Sequence, residues 1–300
     1  MNEWTGVSGK YVVITGATSG IGRAAAVELA ARGARLAIVA RDEAKANEVA
    51  AQLAGAADGS AVAGVFVADL ASQRSVRRVA DEILERCPRV DVLVNNAGAL
   101  HYQRQLTEDG LEMTWAVNHL APFLLTSLLL HRLKENAPAR IITTSSHGHR
   151  AARKGIDFDD LNGERLYGRR TLVGGGFMRY AETKLANILF TAELARRLRG
   201  SGVSAYCFDP GLVATGFAMN NGALVRWNMV VRRPFSRSPE KGAETLVWLA
   251  DSADVAEDDG TYFGDMRPKA PSEAARDMDA ARRLWEVSEE QVDDSSSREG

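Results

Sequence analysis

Cysteine is scarce. The 300-residue chain has two, Cys87 and Cys207, too few for a disulfide scaffold or a cysteine zinc cluster. Both are expected as free thiols in a reducing, cytoplasmic setting. Charge of one sign is also lacking: 37 Lys and Arg stand against 39 Asp and Glu. The basic footprint of a nucleic-acid binder is therefore missing. The longest apolar run, Leu120–Leu130, is interrupted by Pro122, Thr126 and Ser127. It falls short of the ~20 residues that cross a bilayer, so a buried helix and no integral membrane segment are expected. Met1–Lys10 shows no basic n-region and no cleavage site. There is no repeat with a period of tens of residues. His147, His149, Arg150, Arg153 and Lys154 have no acidic or cysteine partner spaced to complete a metal site, and read as a solvated loop. No metal is expected. Against these shortages, glycine is abundant, 27 residues to 8 prolines, which marks turns and close approaches of the backbone. A composition of 45% hydrophobic and 25% charged residues excludes disorder and is enough for a large core.

The first half alternates short apolar strands with helical patterns. Strands are expected at Tyr11–Ile14, Leu36–Val39, Val62–Val67, Val90–Val94 and Arg140–Thr144. Between them lie helices at Ile21–Ala31, Glu43–Leu53, Ser72–Glu85 and a long one at Leu106–Lys134, interrupted near Pro122. Near-continuous apolar strands are buried on both faces, and strands separated by helices make parallel sheets. The expected fold is α/β, a doubly wound parallel sheet in one domain spanning 1–292. Residues 147–177 read as an insertion, with a hinge or lid at Gly174–Gly176. A helix at Tyr180–Leu198, a strand at Val203–Cys207, a helix at Pro239–Leu249 capped by Ser238, an edge strand at Thr261–Phe263 and a helix at Ala274–Trp285 complete the pattern. Residues 212–238 are mixed and amphipathic. The polar end, 293–300, is expected to be disordered.

The turn Thr15-Gly16-Ala17-Thr18-Ser19-Gly20-Ile21-Gly22 joins the first strand to the first helix. Gly16 suits the tight turn, Gly20 the approach of a pyrophosphate, and Gly22 the packing of helix on strand. The helix N-terminus offers free N–H groups to phosphate. At the end of the second strand, a site for NAD(H) places an acidic residue against the ribose 2′-hydroxyl. Here the residues are Ala40 and Arg41. A guanidinium suits a 2′-phosphate, so NADP(H) is expected in preference to NAD(H).

With these residues the sequence resembles the short-chain dehydrogenase/reductase family. The glycine turn matches its TGxxxGxG pattern. Asp69-Leu70 resembles its adenine-contacting pair, and Asn95-Asn96-Ala97-Gly98 its NNAG segment. Pro210-Gly211-Leu212-Val213-Ala214-Thr215 resembles its nicotinamide clamp, with Pro210, Gly211, Val213 and Thr215 as cofactor contacts. Tyr180-Ala181-Glu182-Thr183-Lys184-Leu185-Ala186-Asn187 resembles the YxxSKLAN of the retinol dehydrogenase and WW-domain oxidoreductase branch. Thr183 stands where serine is usual, and Asp209 where histidine often precedes the proline. The resemblance implies a catalytic tetrad of Asn118, Ser146, Tyr180 and Lys184. Ser145 is the alternative serine, and the family's serine is the second of such a pair.

Tyr180 and Lys184 are four apart on a helix and share a face. Hydride transfer to a carbonyl leaves an alkoxide that needs a proton. A free phenol near pKa 10 gives and takes one sluggishly at neutral pH, and a nearby ammonium is expected to lower it. Lys184, by resemblance, also holds the nicotinamide ribose. Ser146 would orient the substrate oxygen, and Asn118 would hold a relay water. The expected function is hydride transfer between NADP(H) and a small lipophilic carbonyl or alcohol, in a pocket built from Leu100–Gln103, the insertion and residues 212–238. The family resemblance makes this last stretch the substrate lid. Its Trp227, Met229, Arg232 and Arg233 also suit contact with a membrane surface. The alternative is a non-catalytic dinucleotide sensor or scaffold on the same fold. Pairing into a homodimer or homotetramer through the two long helices is the expectation for assembly, unless the C-terminal helix, with Leu284 and Trp285 packed inward, covers them.

Overall fold

A computed structural model describes residues 3–56, 61–168, 174–213, 236–255 and 259–293. One sheet runs through it, in the order β3-β2-β1-β4-β5-β6-β7-β8. The strands are β1 (Tyr11–Thr15), β2 (Arg35–Ala40), β3 (Val62–Val67), β4 (Val92–Asn95), β5 (Ala139–Thr144), β6 (Val203–Asp209), β7 (Tyr262–Gly264) and β8 (Arg267–Pro268). All neighbours pair in parallel except β7 with the short β8. The helices are α1 (Gly20–Ala31), α2 (Glu43–Ala56), α3 (Gln73–Arg86), α4 (Met113–Glu135), α5 (Glu164–Gly168), α6 (Gly175–Arg197), α7 (Pro239–Asp251) and α8 (Met278–Asp293).

The sheet is doubly wound, and the alternation along β1 shows why. Val12 and Ile14 join one core with α1 and α7, while Val13 joins a second with α3, α4, α6 and α8. A strand covered on both faces has to be apolar on both. The chain order reverses between β1 and β4, and this switch point opens a crevice at the C-terminal ends of the strands.

The expected elements are present, with four shifts. Residues 106–112 are not helical. Leu106 and Glu112 pair across a turn in which Gly110 has φ +76°, and α4 starts at Met113, where the Glu112 carboxylate accepts from the Thr114 and Trp115 amides (3.1 and 2.8 Å). The interruption near Pro122 is a widened turn rather than a break. Ala116–Leu120 is a π-helical segment, with the Ala121 N–H donating to the Ala116 carbonyl. Asn118 lies within this wider turn, four residues before Pro122, which has no N–H to give the Asn118 carbonyl.

The third shift is at the glycine run, where the chain is already helical. Gly175 and Gly176 form the first turn of α6, five residues earlier than the sequence pattern suggested. The fourth is at the C-terminus, where Asp277 divides the expected helix. Its carboxylate accepts from the Asp279 and Ala280 amides and so starts α8 (2.9 and 3.0 Å). The Ser238 cap is as expected, accepting from the Lys241 amide (3.2 Å). α4 is long and apolar enough to cross a membrane by length and composition. It nevertheless packs between α3 and α6 with Phe123, Leu124, Leu125, Leu129 and Leu133 buried. α8 lies across α6, where Trp285 meets Phe190 and Phe123 at ring separations of 5.9 and 5.0 Å. The chain itself thus covers part of one helix face expected for pairing. Ala214, Thr215, Trp227, Met229, Arg232, Arg233 and the rest of 214–235 lie outside the described residues, as do 294–300.

Candidate active site

The glycine turn is built by exclusion of side chains. Gly16 has φ +71°, a region that penalises any Cβ. A Cβ on Gly22 would lie 2.3 Å from the Gly16 carbonyl oxygen and 2.5 Å from Asn96 Nδ2, so α1 reaches the strand end only because both are glycine. Thr15 Oγ1 fixes the crevice from below. It donates to the Val94 carbonyl (3.3 Å) and accepts from the Asn96 and Ala97 amides (3.0 Å each). Asn96 Nδ2 returns a bond to the Thr15 carbonyl (3.1 Å). Ser19 precedes α1 with no side-chain cap bond. The first-turn N–H groups, next to Thr18, Gly20 and Ile21, are then available to an anion, and the turn fits a pyrophosphate.

Arg41 is exposed at the end of β2. The neighbouring Asp42 is occupied at the start of α2. It accepts from the Lys45 amide (3.1 Å) and pairs with Lys45 Nζ (2.8 Å), which leaves Arg41 as the charge that flanks Ala40. Asp69 bends the chain after β3 by accepting from the Ala71 amide (3.0 Å). It is exposed, and Leu70 beside it packs against the core. Ala97 and Gly98 line the crevice end of β4. Asn95 points elsewhere: it is buried and donates to Thr126 of α4 (3.0 Å). Beyond β6, Pro210 is buried, Gly211 has φ +77°, and Val213 pairs with Arg237. The chain on either side of 214–235 therefore meets at the rim of the site.

The serine pair separates as successive strand residues do. Ser145 turns inward and donates to the Lys184 carbonyl (2.7 Å). Ser146 turns toward Tyr180, and a hydrogen bond joins the two side chains. Gly148 closes over them: a Cβ there would touch Ser146 Oγ and the Tyr180 ring at 3.4 Å each. Lys184 Nζ is 5.6 Å from the centre of the Tyr180 ring. It donates to the Thr144 carbonyl (3.0 Å), which also receives Asn187 Nδ2 (3.0 Å). Asn118 is fully enclosed. Its Oδ1 accepts from the Ala99 amide (2.7 Å), and its Nδ2 donates to the Ala99 carbonyl and to Thr183 Oγ1 (2.9 and 3.1 Å). The Thr183 hydroxyl donates on to the Tyr180 carbonyl (2.7 Å). Threonine in place of serine thus keeps the hydroxyl that joins α4 to α6.

The electrostatics differ from expectation in one respect. Tyr180 keeps some access to solvent, yet the packing around it pushes its phenol up to about 12. The Ser146 hydrogen bond opposes that shift and Asp209 adds to it. Burial likewise pulls Lys184 down to about 8. Desolvation is the largest cause for both groups, so the phenol is held protonated instead of being drawn toward phenolate.

Several residues at the site were misread or passed over in the sequence. His149 is not solvated but fully buried. Its Nδ1 donates to the Ser146 carbonyl (2.7 Å) and its Nε2 accepts from the Ser272 amide (3.1 Å), a tautomer in which it ties the Ser146 turn to the C-terminal segment. Asp209 is buried and pairs with Lys269 (2.9 Å). Behind the insertion, fully buried Arg179 donates to Glu182 (2.7 Å) and the Asp160 carbonyl (2.5 Å) and lies 3.7 Å from Glu112, which accepts from the Tyr167 hydroxyl (2.8 Å). Only the aspartate carried a sequence signal, its departure from histidine. Arg179 and Glu182 are one helical turn apart, whereas Asp160, Glu112 and Ser272 reach these side chains from 19 or more residues away in the chain.

The family model for short chain dehydrogenases matches residues 10–156. Retinol dehydrogenase 14 of Mus musculus is 44% identical over 300 residues, covering 95% of this chain and 86% of that one. Among solved structures, a putative uncharacterized protein from Mycobacterium paratuberculosis has a TM-score of 0.75 and 32% identity, over 97% of this chain and 98% of the other. A 3-ketoacyl-(acyl-carrier-protein) reductase from Brucella melitensis, complexed with NADH, has a TM-score of 0.65 and 25% identity over 86% and 96%. A short chain dehydrogenase from Burkholderia cenocepacia J2315, in complex with NADP, has 0.66 and 26% over the same shares.

Proposed function

This chain belongs to the short-chain dehydrogenase family, in its retinol dehydrogenase-like branch, and we propose that it is a reversible aldehyde or ketone reductase that uses NADP(H) on lipophilic carbonyls and alcohols. The observation that carries this reading is the Ser146–Tyr180–Lys184 cluster at the same strand ends as the glycine turn. When bound, the dinucleotide supplies or accepts the hydride. The chain does the rest. Ser146 holds the substrate oxygen. Tyr180, protonated at neutral pH because of its packing, gives its proton to the developing alkoxide, which suits the reducing direction. Lys184, cationic below about pH 8, stabilises the phenolate left behind and would hold the ribose. With its side chain fully engaged, Asn118 serves the relay through its backbone carbonyl, which Pro122 leaves without an α-helical donor. The preference for NADP(H) is supported by Arg41 beside Ala40, with Asp42 held by Lys45. The lipophilic substrate is supported by the name of the mouse relative, since retinol is a lipophilic alcohol. A reducing cytoplasm suits the two buried free thiols, Cys87 and Cys207.

Two measurements test the reading. Tyr180→Phe is expected to cut NADPH-dependent turnover of a carbonyl panel by ~10²–10⁴-fold with dinucleotide affinity kept. Retained turnover removes the mechanism, and tight NADPH binding by the unaltered chain without turnover on any carbonyl favours a sensor. Arg41→Asp is expected to reverse the NADPH over NADH preference by roughly 10–100-fold, the worth of one or two charge-assisted hydrogen bonds. An unchanged ratio sinks the assignment to NADP(H).

A further inference from the structure

The widened turn of α4 is held by two sets of contacts. The first ties the Asn118 side chain to Ala99 and Thr183. The second comes from α8, which no step of the reaction uses. Trp115 and His119 flank Asn118 on α4, both are fully buried, and their rings are 4.7 Å apart. Each sends a ring nitrogen to α8. Trp115 Nε1 donates to Gln291 Oε1 (2.9 Å). His119 Nε2 lies 2.8 Å from Ser288 Oγ, and Ser288 is also fully buried. The Ser288 hydroxyl donates to the Leu284 carbonyl (2.6 Å), so its oxygen accepts from the imidazole. Burial pulls that ring down to about 3 and keeps it neutral, with one N–H to place. The end of α8 is itself fastened to α3. Gln73 Nε2 donates to the Gln291 carbonyl (3.0 Å) and Arg77 to the Val292 carbonyl (2.7 Å).

We propose that Ser288 and Gln291 are positioning residues for carbonyl reduction: from α8 they hold His119 and Trp115, and so fix the turn that presents the Asn118 carbonyl to the proton relay. The inference rests on the hydride-transfer reading of the site and on the relay role of Asn118. A π-helical turn is sparsely populated by itself and persists where its surroundings over-determine it. Here the turn closes through the Ala121 N–H on the Ala116 carbonyl. Trp115 directly before it and His119 within it are the residues that α8 engages. Removing the Ser288 hydroxyl leaves a buried imidazole N–H without its acceptor, a cost that favours rearrangement of the turn. Elsewhere α8 is anchored differently. Trp285 stacks on Phe190, and the Arg197 guanidinium lies 4.2 Å from its ring. That contact holds the helix down without a hydrogen bond to the turn, so the two functions of α8 can be altered separately.

The experiment measures kcat, KM and amide hydrogen exchange on the full chain and on Ser288→Ala, Gln291→Met and Arg197→Met. Ser288→Ala and Gln291→Met are each expected to lower kcat for carbonyl reduction by roughly tenfold, the scale of a displacement under about 1 Å. KM and NADPH affinity should stay within about twofold. Exchange at the Ala121 amide, which closes the turn, is expected to speed up by roughly tenfold, the factor for one buried hydrogen bond. Arg197→Met loosens α8 through Trp285. It is expected to lower the unfolding midpoint and to leave kcat and Ala121 exchange in place. A kcat loss in Arg197→Met equal to that in Ser288→Ala makes α8 a structural brace only and overturns the proposal. Faster exchange with unchanged kcat overturns it as well. Unchanged Ala121 exchange in either α8 variant strikes that residue from the positioning set, and in both it ends the proposal. If the unaltered protein reduces no carbonyl, the functional reading fails, and exchange at Ala121 still decides whether α8 holds the turn.

Discussion

Two glycine clusters in this protein do opposite work. At Gly16–Gly22 the missing side chains leave the space in front of a helix N-terminus free, and the surrounding contacts brace the rim of that space. At Gly175–Gly176 they let chain segments close completely. A Cβ on Gly175 would lie 2.6 Å from Tyr167 Cα, and one on Gly176 would lie 2.3 Å from the His101 carbonyl oxygen. In the proposed function the first cluster serves a ligand. The second seats α6, and with it Tyr180 and Lys184, against the insertion and the loop after β4. Glycine abundance by itself does not distinguish the two cases, because the absence of a side chain permits both approach by a ligand and contact between backbones.

The comparison can be broken at three points. Gly22→Ala should have the largest effect. Its methyl group meets the backbone of Gly16, which cannot yield without opening the turn, so NADPH affinity by calorimetry should fall by roughly 10–100-fold, in proportion to an overpacking cost of ~1–3 kcal/mol. Gly176→Ala meets the His101–Tyr102 backbone instead. A stability loss of about 1–3 kcal/mol in urea unfolding is expected, together with a raised KM for the carbonyl and NADPH affinity unchanged within about twofold. If Gly176→Ala weakened NADPH as much as Gly22→Ala, the division between the clusters would collapse.

The smallest effect should be a pH dependence confined to the insertion side. Burial pushes Glu182 up to about 7 against the pull of Arg179. A carboxyl raised in the folded state contributes stability that is complete below its unfolded value near 4.5 and lost as pH rises through about 7. Stability should therefore decline across that window, and Glu182→Gln should flatten the decline, as read from unfolding midpoints at a series of pH values. An unaltered slope in the variant would assign the decline to another group.

Much of the site was legible in the sequence because its signals are local. Thr15 to Gly22 is one continuous turn, Tyr180 and Lys184 are one helical turn apart, and Ser145 and Ser146 are adjacent strand residues that must face opposite ways. Each is fixed by backbone periodicity. The misread features depend on distant partners. His149 looks like a loop histidine until Ser272 is brought to its ring, and nothing in the sequence marks Arg179 as buried before Glu112 and the Asp160 carbonyl close around it. The early start of α6 has the same origin, since a glycine-rich helical turn is disfavoured locally and is recovered by packing against Leu166, Tyr167 and Tyr102.

The sequence by itself determined the doubly wound sheet and picked out the glycine turn and the Tyr–Lys–Ser–Asn set as candidates, because each follows from periodicity, from glycine sterics or from a family pattern carried by neighbouring residues. Only the tertiary structure decided the protonation of that set. The phenol and the ammonium are adjacent in either description, and the sequence-level expectation was that the ammonium would draw the phenol toward ionisation. The folded chain desolvates both, holds Tyr180 up to about 12 and Lys184 down to about 8, and places the Asp209 carboxylate nearby. Desolvation is a property of everything packed around a group, and no spacing of residues along the chain records it.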